Sequence, residues 1–148
     1  MINKDTTIIK HLLNNKTKEL NILNKIHYMG EVDENTKIAC ISSSLLFVLL
    51  TEYEGQGIVL LEAMALSKPI IANNLDGTQD IIEHEIDGFR ITPNDNEALK
   101  KYVKTLINNK ELRDKMGQNA KKKAWEKYRW GTTFRSLKKI YLAVKNEK

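Results

Sequence analysis

The 148-residue sequence predicts an α/β fold in one domain, a parallel sheet flanked by helices with further helices at the C-terminal end, and three observations carry that expectation. Short apolar runs, "SLLFVLL" at 44–50 and "PIIAN" at 69–73, alternate with longer stretches of good helix formers, which is the pattern of βαβ units. The run at 44–50 lacks any polar alternation, as expected of a strand covered on both faces. No internal repeat, low-complexity linker or Pro/Gly-rich boundary divides the chain, and Pro69 and Pro93 fall where elements should begin or end.

Taken in order, Ile8, Ile9, Leu12 and Leu13, then Leu20, Ile22 and Leu23, recur at helical spacing, so much of the first 24 residues is expected to be helix. "KIHYMG" at 25–30 reads as a short strand ending in glycine. "DENTKIACIS" from Asp33 reads as a short helix capped by an acid, and the strand at 44–50 follows. "IVLLEAMAL" at 58–66 is a helix that Pro69 forbids from continuing, and "PIIAN" is the next strand. "GTQDIIEHEID" at 77–87 reads as a helix, with His84 on its surface, and "GFRITP" at 88–93 as a strand. "DNEALKKYVKTLINN" is an amphipathic helix with Ala98, Leu99, Val103 and Leu106 or Ile107 inward. The remainder is helical, and Phe134, Leu137, Ile140, Tyr141 and Val144 share one stripe of the last helix. Trp125, Tyr128 and Trp130 fit an aromatic binding surface, though packing anchors are the more common use of such spacing.

Composition excludes several classes of protein. At 41% hydrophobic and 29% charged, the chain is neither disordered nor fibrous, and it can build a core. No apolar run approaches the roughly 18 residues of a membrane span, and the first residues lack the pattern of a secretory signal, so the cytoplasm is the expected location. The single cysteine, Cys40, rules out an intramolecular disulfide and is expected as a small buried hydrophobe. His11, His27 and His84 show no metal-ligand spacing. The formal net charge of +5 hides an asymmetry: 8 basic against 15 acidic residues before Ala98, and 16 against 4 from there on. A basic block of this kind is usually a solvated helix face; contact with an anionic membrane is the other use, and no nucleic-acid-binding signature accompanies it.

The residues that point to chemistry lie in "TEYEGQGIVLLEAMAL". This loop follows a predicted parallel strand and opens a helix, which puts it at the sheet edge where α/β folds bind ligands and at a helix N-terminus that favours a phosphate. Gly55 and Gly57 allow a phosphate to approach the backbone, and Gly57, Ile58 and Val59 offer their amides. Carboxylates beside such a site repel phosphate but accept hydrogen bonds from hydroxyls. Glu62, one turn into the helix, suits the vicinal hydroxyls of a ribose, and Glu54 suits whatever is joined to the other end of a diphosphate, which together describe a nucleotide-sugar. The same two acids also fit a plain loop and a helix start favoured by the dipole.

"EGQGIVLLEAMALSKPIIA" closely resembles the E-G-F-G-x-x-x-x-E-A-M-A-x-G-x-P-V-V-A signature of the retaining glycosyltransferases with the GT-B fold, the group 1 glycosyl transferases, many of which act in bacterial polysaccharide and lipopolysaccharide synthesis. "MGEVDENTKIACISSSLLFVLL", "LDGTQDIIEHEIDGFRITPNDNEALKKYVKTLI" and "YRW" with its helix are similar to the flanking stretches, so the resemblance covers roughly 22–144. It implies a Rossmann-like sheet forming part of the C-terminal, donor-binding lobe of a two-lobed enzyme, with no metal and no cofactor besides the nucleotide-sugar substrate. By that resemblance Glu54 contacts the transferred sugar, Glu62 the ribose, and the backbone of Gly55, Gly57, Ile58 and Val59 the diphosphate.

Gln56 stands where the family usually has an aromatic, Thr51 where a Pro-Ser pair usually ends, and Ser67 where glycine closes the helix, at a cost on the order of 1 kcal/mol if it is left-handed. The family's lobe opens with two strands, a lysine and an arginine that nothing in 1–24 matches, and the acceptor lobe precedes those. The sequence therefore implies a donor-binding portion, cytoplasmic or peripheral at the inner face of the membrane, with a separate polypeptide as a candidate source of the acceptor lobe. The alternative is a non-catalytic nucleotide-binding or interaction subunit, either half of a split enzyme or a gene remnant. A dinucleotide-binding oxidoreductase is disfavoured because G-x-G-x-x-G spacing after a first strand is absent.

Overall fold

The computed structural model describes residues 4–146; Met1, Ile2 and Asn3 of the predicted N-terminal helix lie outside them. The chain divides into two compact units, Met1–Lys37 and Ile38–Lys148. In the first, helix α1 (Lys4–Glu19) ends at Asn21, whose φ of 53° turns the chain by the left-handed route, and a 3-10 turn follows at Leu23–Lys25. The strand expected at 25–30 does not form. Ile26 has extended dihedrals, but no strand among the described residues pairs with it, and a strand exists only as a member of a ladder. Helix α2 (Glu34–Ser43) begins as expected: Asp33 accepts from the Thr36 amide at 2.9 Å and from its hydroxyl at 2.8 Å.

The second unit is built on three parallel strands, β1 (Phe47–Leu49), β2 (Ile70–Asn73) and β3 (Gly88–Ile91), with β2 in the middle. Phe47 pairs with Ile70 and Ile70 with Gly88, so all three carboxyl ends lie along one edge. Helix α3 (Ile58–Ala65) connects β1 to β2, and α4 (Asp76–Gln79) precedes β3. Helices α5 (Asn96–Asn108), α6 (Lys110–Lys123) and α7 (Trp130–Asn146) complete the unit, with a π-helical turn at Ala124–Tyr128 between the last two.

Alternation along β2 distributes the core. Ile70 and Ala72 face Leu60, Ala63 and Met64 of α3 together with Ala120 and Ala124, while Ile71 faces Phe89, Leu106 and Met116. Helices therefore cover both faces, and each fully buried Leu, Ile or Met contributes about 1.5–3 kcal/mol. Of the two candidates for the inward position of α5, Leu106 is buried and Ile107 is exposed. Strand β1 is less covered than its sequence implies, with Val48 38% exposed, because it forms one edge of the sheet.

Two turns fix how the layers meet. Helix α3 ends with the Ser67 amide bonded to the Met64 carbonyl and the Lys68 amide to the Ala63 carbonyl, with Ser67 left-handed at φ 60°, as its place in the glycine position implies. Gly117 lets α6 lie against that turn: a Cβ there would sit 2.1 Å from the Ser67 carbonyl oxygen.

Three other expectations are corrected. The helix predicted at 77–87 is only the single turn of α4, because later amides find side-chain acceptors instead: Glu83 bonds to Asp87 Oδ1 at 2.8 Å and Arg90 to His84 Nδ1 at 3.0 Å, with Glu85 left-handed at φ 69°. His84 is accordingly a turn residue, set edge-on to Phe89 and Tyr102, rather than a helix-surface residue. Cys40 is exposed, since Ile41 is the residue of α2 that reaches the core.

Candidate functional site

From the end of β1 the chain bends through 50–57 and enters α3 with Gly57 as its N-cap, left-handed at φ 55°, ψ 37°. Gly57 is buried, and a Cβ on it would meet Ile81 Cδ1 at 2.8 Å and Leu60 Cδ1 at 2.9 Å, so dihedrals and space both call for glycine. The Glu54 carboxylate folds back over this corner: its Oε1 accepts from the Gly57 amide at 2.7 Å and from the Gln56 amide at 3.3 Å. The next two amides, of Ile58 and Val59, head the helix with no acceptor among the described residues. Residues 51–67 contain no lysine or arginine, so the positive potential that this stretch itself offers comes from backbone.

A second element holds the loop in place. Gly77 in α4 lies so close to it that a Cβ there would sit 2.1 Å from the Glu54 carbonyl oxygen and 3.0 Å from the Gly55 carbonyl carbon. Helix α4 is itself pinned by Thr78, whose buried hydroxyl accepts from the Leu75 amide at 2.9 Å and lies 2.6 Å from the Asn73 carbonyl. At the carboxyl edge, Asn73 Nδ2 donates to the Thr51 carbonyl at 2.9 Å, and the buried Thr51 hydroxyl has no hydrogen-bond partner.

The structure thus brings Glu54, Gly55, Gly57, Ile58 and Val59 together at one corner. Glu54 is half-buried and engaged with the loop backbone, Gly55 and Ile58 are exposed, and Glu62 is partly buried one turn along α3. A cleft of about 540 Å3 opens from this corner, lined by Gly55, Gln56 and Ile58 on one side and by Asp80, Ile81, Tyr128, Trp130 and Thr133 on the other. Neither glutamate lines it. The sequence reading missed the contribution of Gly77, Asp80 and Thr133. "LDGTQD" is visible as a turn-like stretch, but nothing local in it says which backbone it lies against.

Of the three aromatics near the start of α7, only Tyr128 is a packing anchor. It sits against the α3 core and donates from its hydroxyl to the Asp80 carbonyl at 2.9 Å, and burial, then the nearby Asp80 and Asp87 carboxylates, raise its pKa. Trp125 and Trp130 are exposed, Trp130 by 86%. Away from the cleft lining, Asp87 and Lys123 form an ion pair of 2.9 Å that is nearly buried on both sides. No cluster of three or more His, Cys, Asp or Glu side chains capable of holding a metal occurs among the described residues.

Comparison with known proteins agrees with this architecture. The family model of the group 1 glycosyl transferases matches residues 10–123. An uncharacterized glycosyltransferase of Methanocaldococcus jannaschii is 29% identical over 83% of this chain, a match that takes in 32% of its own length. The chain thus spans about a third of the curated relatives it matches. Among solved structures, HepE of Anabaena in complex with UDP superposes with a TM-score of 0.84 at 20% identity, over 95% of this chain and 38% of its own. The C-terminal domain of LpcC, a glycosyl transferase group 1 family protein of Francisella tularensis, superposes with a TM-score of 0.75 at 25% identity, over 86% of this chain and 66% of its own. The fold is that of the Rossmann-like C-terminal lobe of GT-B enzymes, in part. The chain belongs to the group 1 glycosyl transferases.

Proposed function

We propose that this chain binds a nucleotide-diphosphate sugar at the head of α3 and forms the donor side of a retaining, metal-independent glycosyltransferase. The observation that carries the reading is the Gly57 corner: two helix-leading amides, Ile58 and Val59, with no acceptor among the described residues, stand at the carboxyl edge of a parallel sheet. In this reading they bind the diphosphate. Gly57 joins them when Glu54 exchanges its amide for hydroxyls of the transferred sugar, and Glu62 accepts from the ribose.

In the transfer step, the bond from the anomeric carbon to the diphosphate oxygen breaks as a hydroxyl of the acceptor attacks the same face. The acceptor proton passes to the leaving phosphate oxygen. The helix-head amides stabilise the charge that develops there, which accounts for a site without a general base. The acceptor is a glycan or a lipid-linked sugar of polysaccharide or lipopolysaccharide synthesis, and the acceptor lobe of the GT-B fold holds it. The chain lies in the cytoplasm, peripheral to an anionic membrane. Helix α7 supports that contact: it carries Arg135, Lys138, Lys139 and Lys145, no carboxylate, and an exposed stripe of Phe134, Leu137, Ile140, Tyr141 and Val144. No helix of the described residues is long and apolar enough to cross a membrane.

Calorimetric titration with UDP, GDP, ADP and their sugar conjugates tests the donor site. One nucleotide binds, and Glu62→Ala weakens it about 10- to 100-fold, the loss expected for hydrogen bonds to a charged acceptor. Failure of a folded chain to bind any of them refutes the reading. A second reading is a non-catalytic nucleotide-binding subunit. Nucleotide binding without transfer to any acceptor, alone or with a candidate partner polypeptide, would select it.

A further inference from the structure

The cleft beside the Gly57 corner shares Gly55 and Ile58 with the donor reading, but neither Glu54 nor Glu62 lines it, and its far wall has no role in that reading. Its composition is specific nonetheless. Trp130 presents its ring at the rim, 86% exposed, and Tyr128 and Ile58 form apolar wall. Gln56, Asp80 and Thr133 add an amide, a carboxylate and a hydroxyl around the same opening. An aromatic face ringed by a few polar side chains is the chemistry that receives a ligand apolar on its faces and hydroxylated at its edge. A pyranose is such a ligand. The cleft holds about 540 Å3, within the size range of small-ligand sites.

We propose that this cleft is a carbohydrate-binding subsite, in which one pyranose ring of the acceptor glycan lies on Trp130 with its hydroxyls bonded to Gln56, Asp80 and Thr133. The proposal rests on the donor reading for its orientation: Gly55 and Gln56 belong both to the cleft wall and to the loop that carries Glu54, so a ring held here borders the sugar to be transferred. Gln56 is then a specificity residue. Where the family's signature usually carries an aromatic, this chain offers an amide with two donors and an acceptor.

The test uses the full chain as Trp125→Phe, which leaves Trp130 as the only tryptophan and changes no residue of the cleft. Its emission is followed during titration with maltotetraose, cellotetraose, chitotetraose and mannotetraose, and binding of UDP, GDP and ADP is measured on the same samples by calorimetry. One of the sugars shifts the Trp130 emission to shorter wavelength with saturation. Adding Asp80→Ala weakens that response several-fold to tenfold and leaves the circular dichroism unchanged, because Asp80 supports the fold through its carbonyl to Tyr128. A chain that binds one of the three nucleotides while no sugar moves Trp130 overturns the subsite and leaves the donor reading intact; a sugar response with no nucleotide bound does the reverse, and no response to either overturns both. A sugar response that persists unchanged in Asp80→Ala overturns the proposed arrangement. A blue shift on concentrating the chain alone assigns the cleft to a second copy instead.

Discussion

Gly77→Ala couples the fold to the site most directly. The added Cβ would lie 2.1 Å from the Glu54 carbonyl oxygen and 2.8 Å from its carbon, whereas real Cβ atoms essentially never come within 3.0 Å of a neighbour. The obstacle is backbone, which cannot rotate aside, and α4 cannot withdraw without breaking the bond from the Thr78 hydroxyl to the Asn73 carbonyl that pins it to β2. The Glu54–Gly55 segment must therefore retreat by about 1 Å, a displacement typical of overpacking that costs about 1–3 kcal/mol. At a binding site the same shift disturbs the Glu54 to Gly57 bond and the aim of the helix-head amides, and misplacement on this scale costs on the order of 100-fold in a positioned site. Urea denaturation gives the first quantity and titration with the cognate nucleotide the second. The variant should remain folded and bind far more weakly than its stability loss alone accounts for. Unchanged stability and unchanged nucleotide affinity would show that α4 does not hold the donor loop, and the steric argument would fall.

Three further outcomes follow from the packing. Ser67→Gly relieves a left-handed serine at the end of α3 and should stabilise the chain by about 1 kcal/mol in a urea or thermal melt; a neutral or destabilising result would mean that the serine hydroxyl makes up for its strain. Asp87→Ala leaves Lys123 unpaired in a nearly buried position and removes the acceptor for the Glu83 amide, for a loss of about 3–5 kcal/mol, and retention of wild-type stability would refute the structural role of the pair. The bond from the Thr36 amide, then that from its hydroxyl, holds the Asp33 carboxyl below its ordinary range. A lowered folded pKa means that the cap is fully present above the unfolded value of 3.8 and is lost as pH falls through the folded one. Carboxyl chemical shifts of Asp33 should therefore titrate below that value, and Asp33→Asn should flatten the acid fraying of α2; a midpoint at or above 3.8 contradicts the cap.

Much of this was legible in the residues because local and tertiary preferences agree. The helix at 58–65 and the strands at 47–49, 70–73 and 88–91 each combine an apolar run with a glycine, a proline or an acid at the correct end, and the two-glutamate loop lies at the strand-to-helix corner that its pattern implies. The misreadings share a cause. "KIHYMG" has strand-like residues but no ladder partner among the described residues, and a partner is not a local property. At 77–87 the apolar Ile81 and Ile82 suggest a helix, while Asp87 takes the amide of Glu83 four residues before it and His84 that of Arg90 six residues after it. The cleft was invisible for a similar reason: Gln56, Asp80, Trp130 and Thr133 are distant in sequence, and only the fold brings them to one opening.

The central claim is that backbone amides at the head of α3 receive a diphosphate. The most direct measurement is the amide nitrogen and proton shifts of Gly57, Ile58 and Val59 in an isotope-labelled chain titrated in parallel with UDP and with uridine, and with GDP or ADP if another base is preferred. The account predicts that the diphosphate moves Ile58 and Val59 strongly, moves Gly57 as Glu54 gives up its hydrogen bond, and that the nucleoside leaves all three nearly unchanged. Nucleotide binding that leaves these three amides where they were would contradict it.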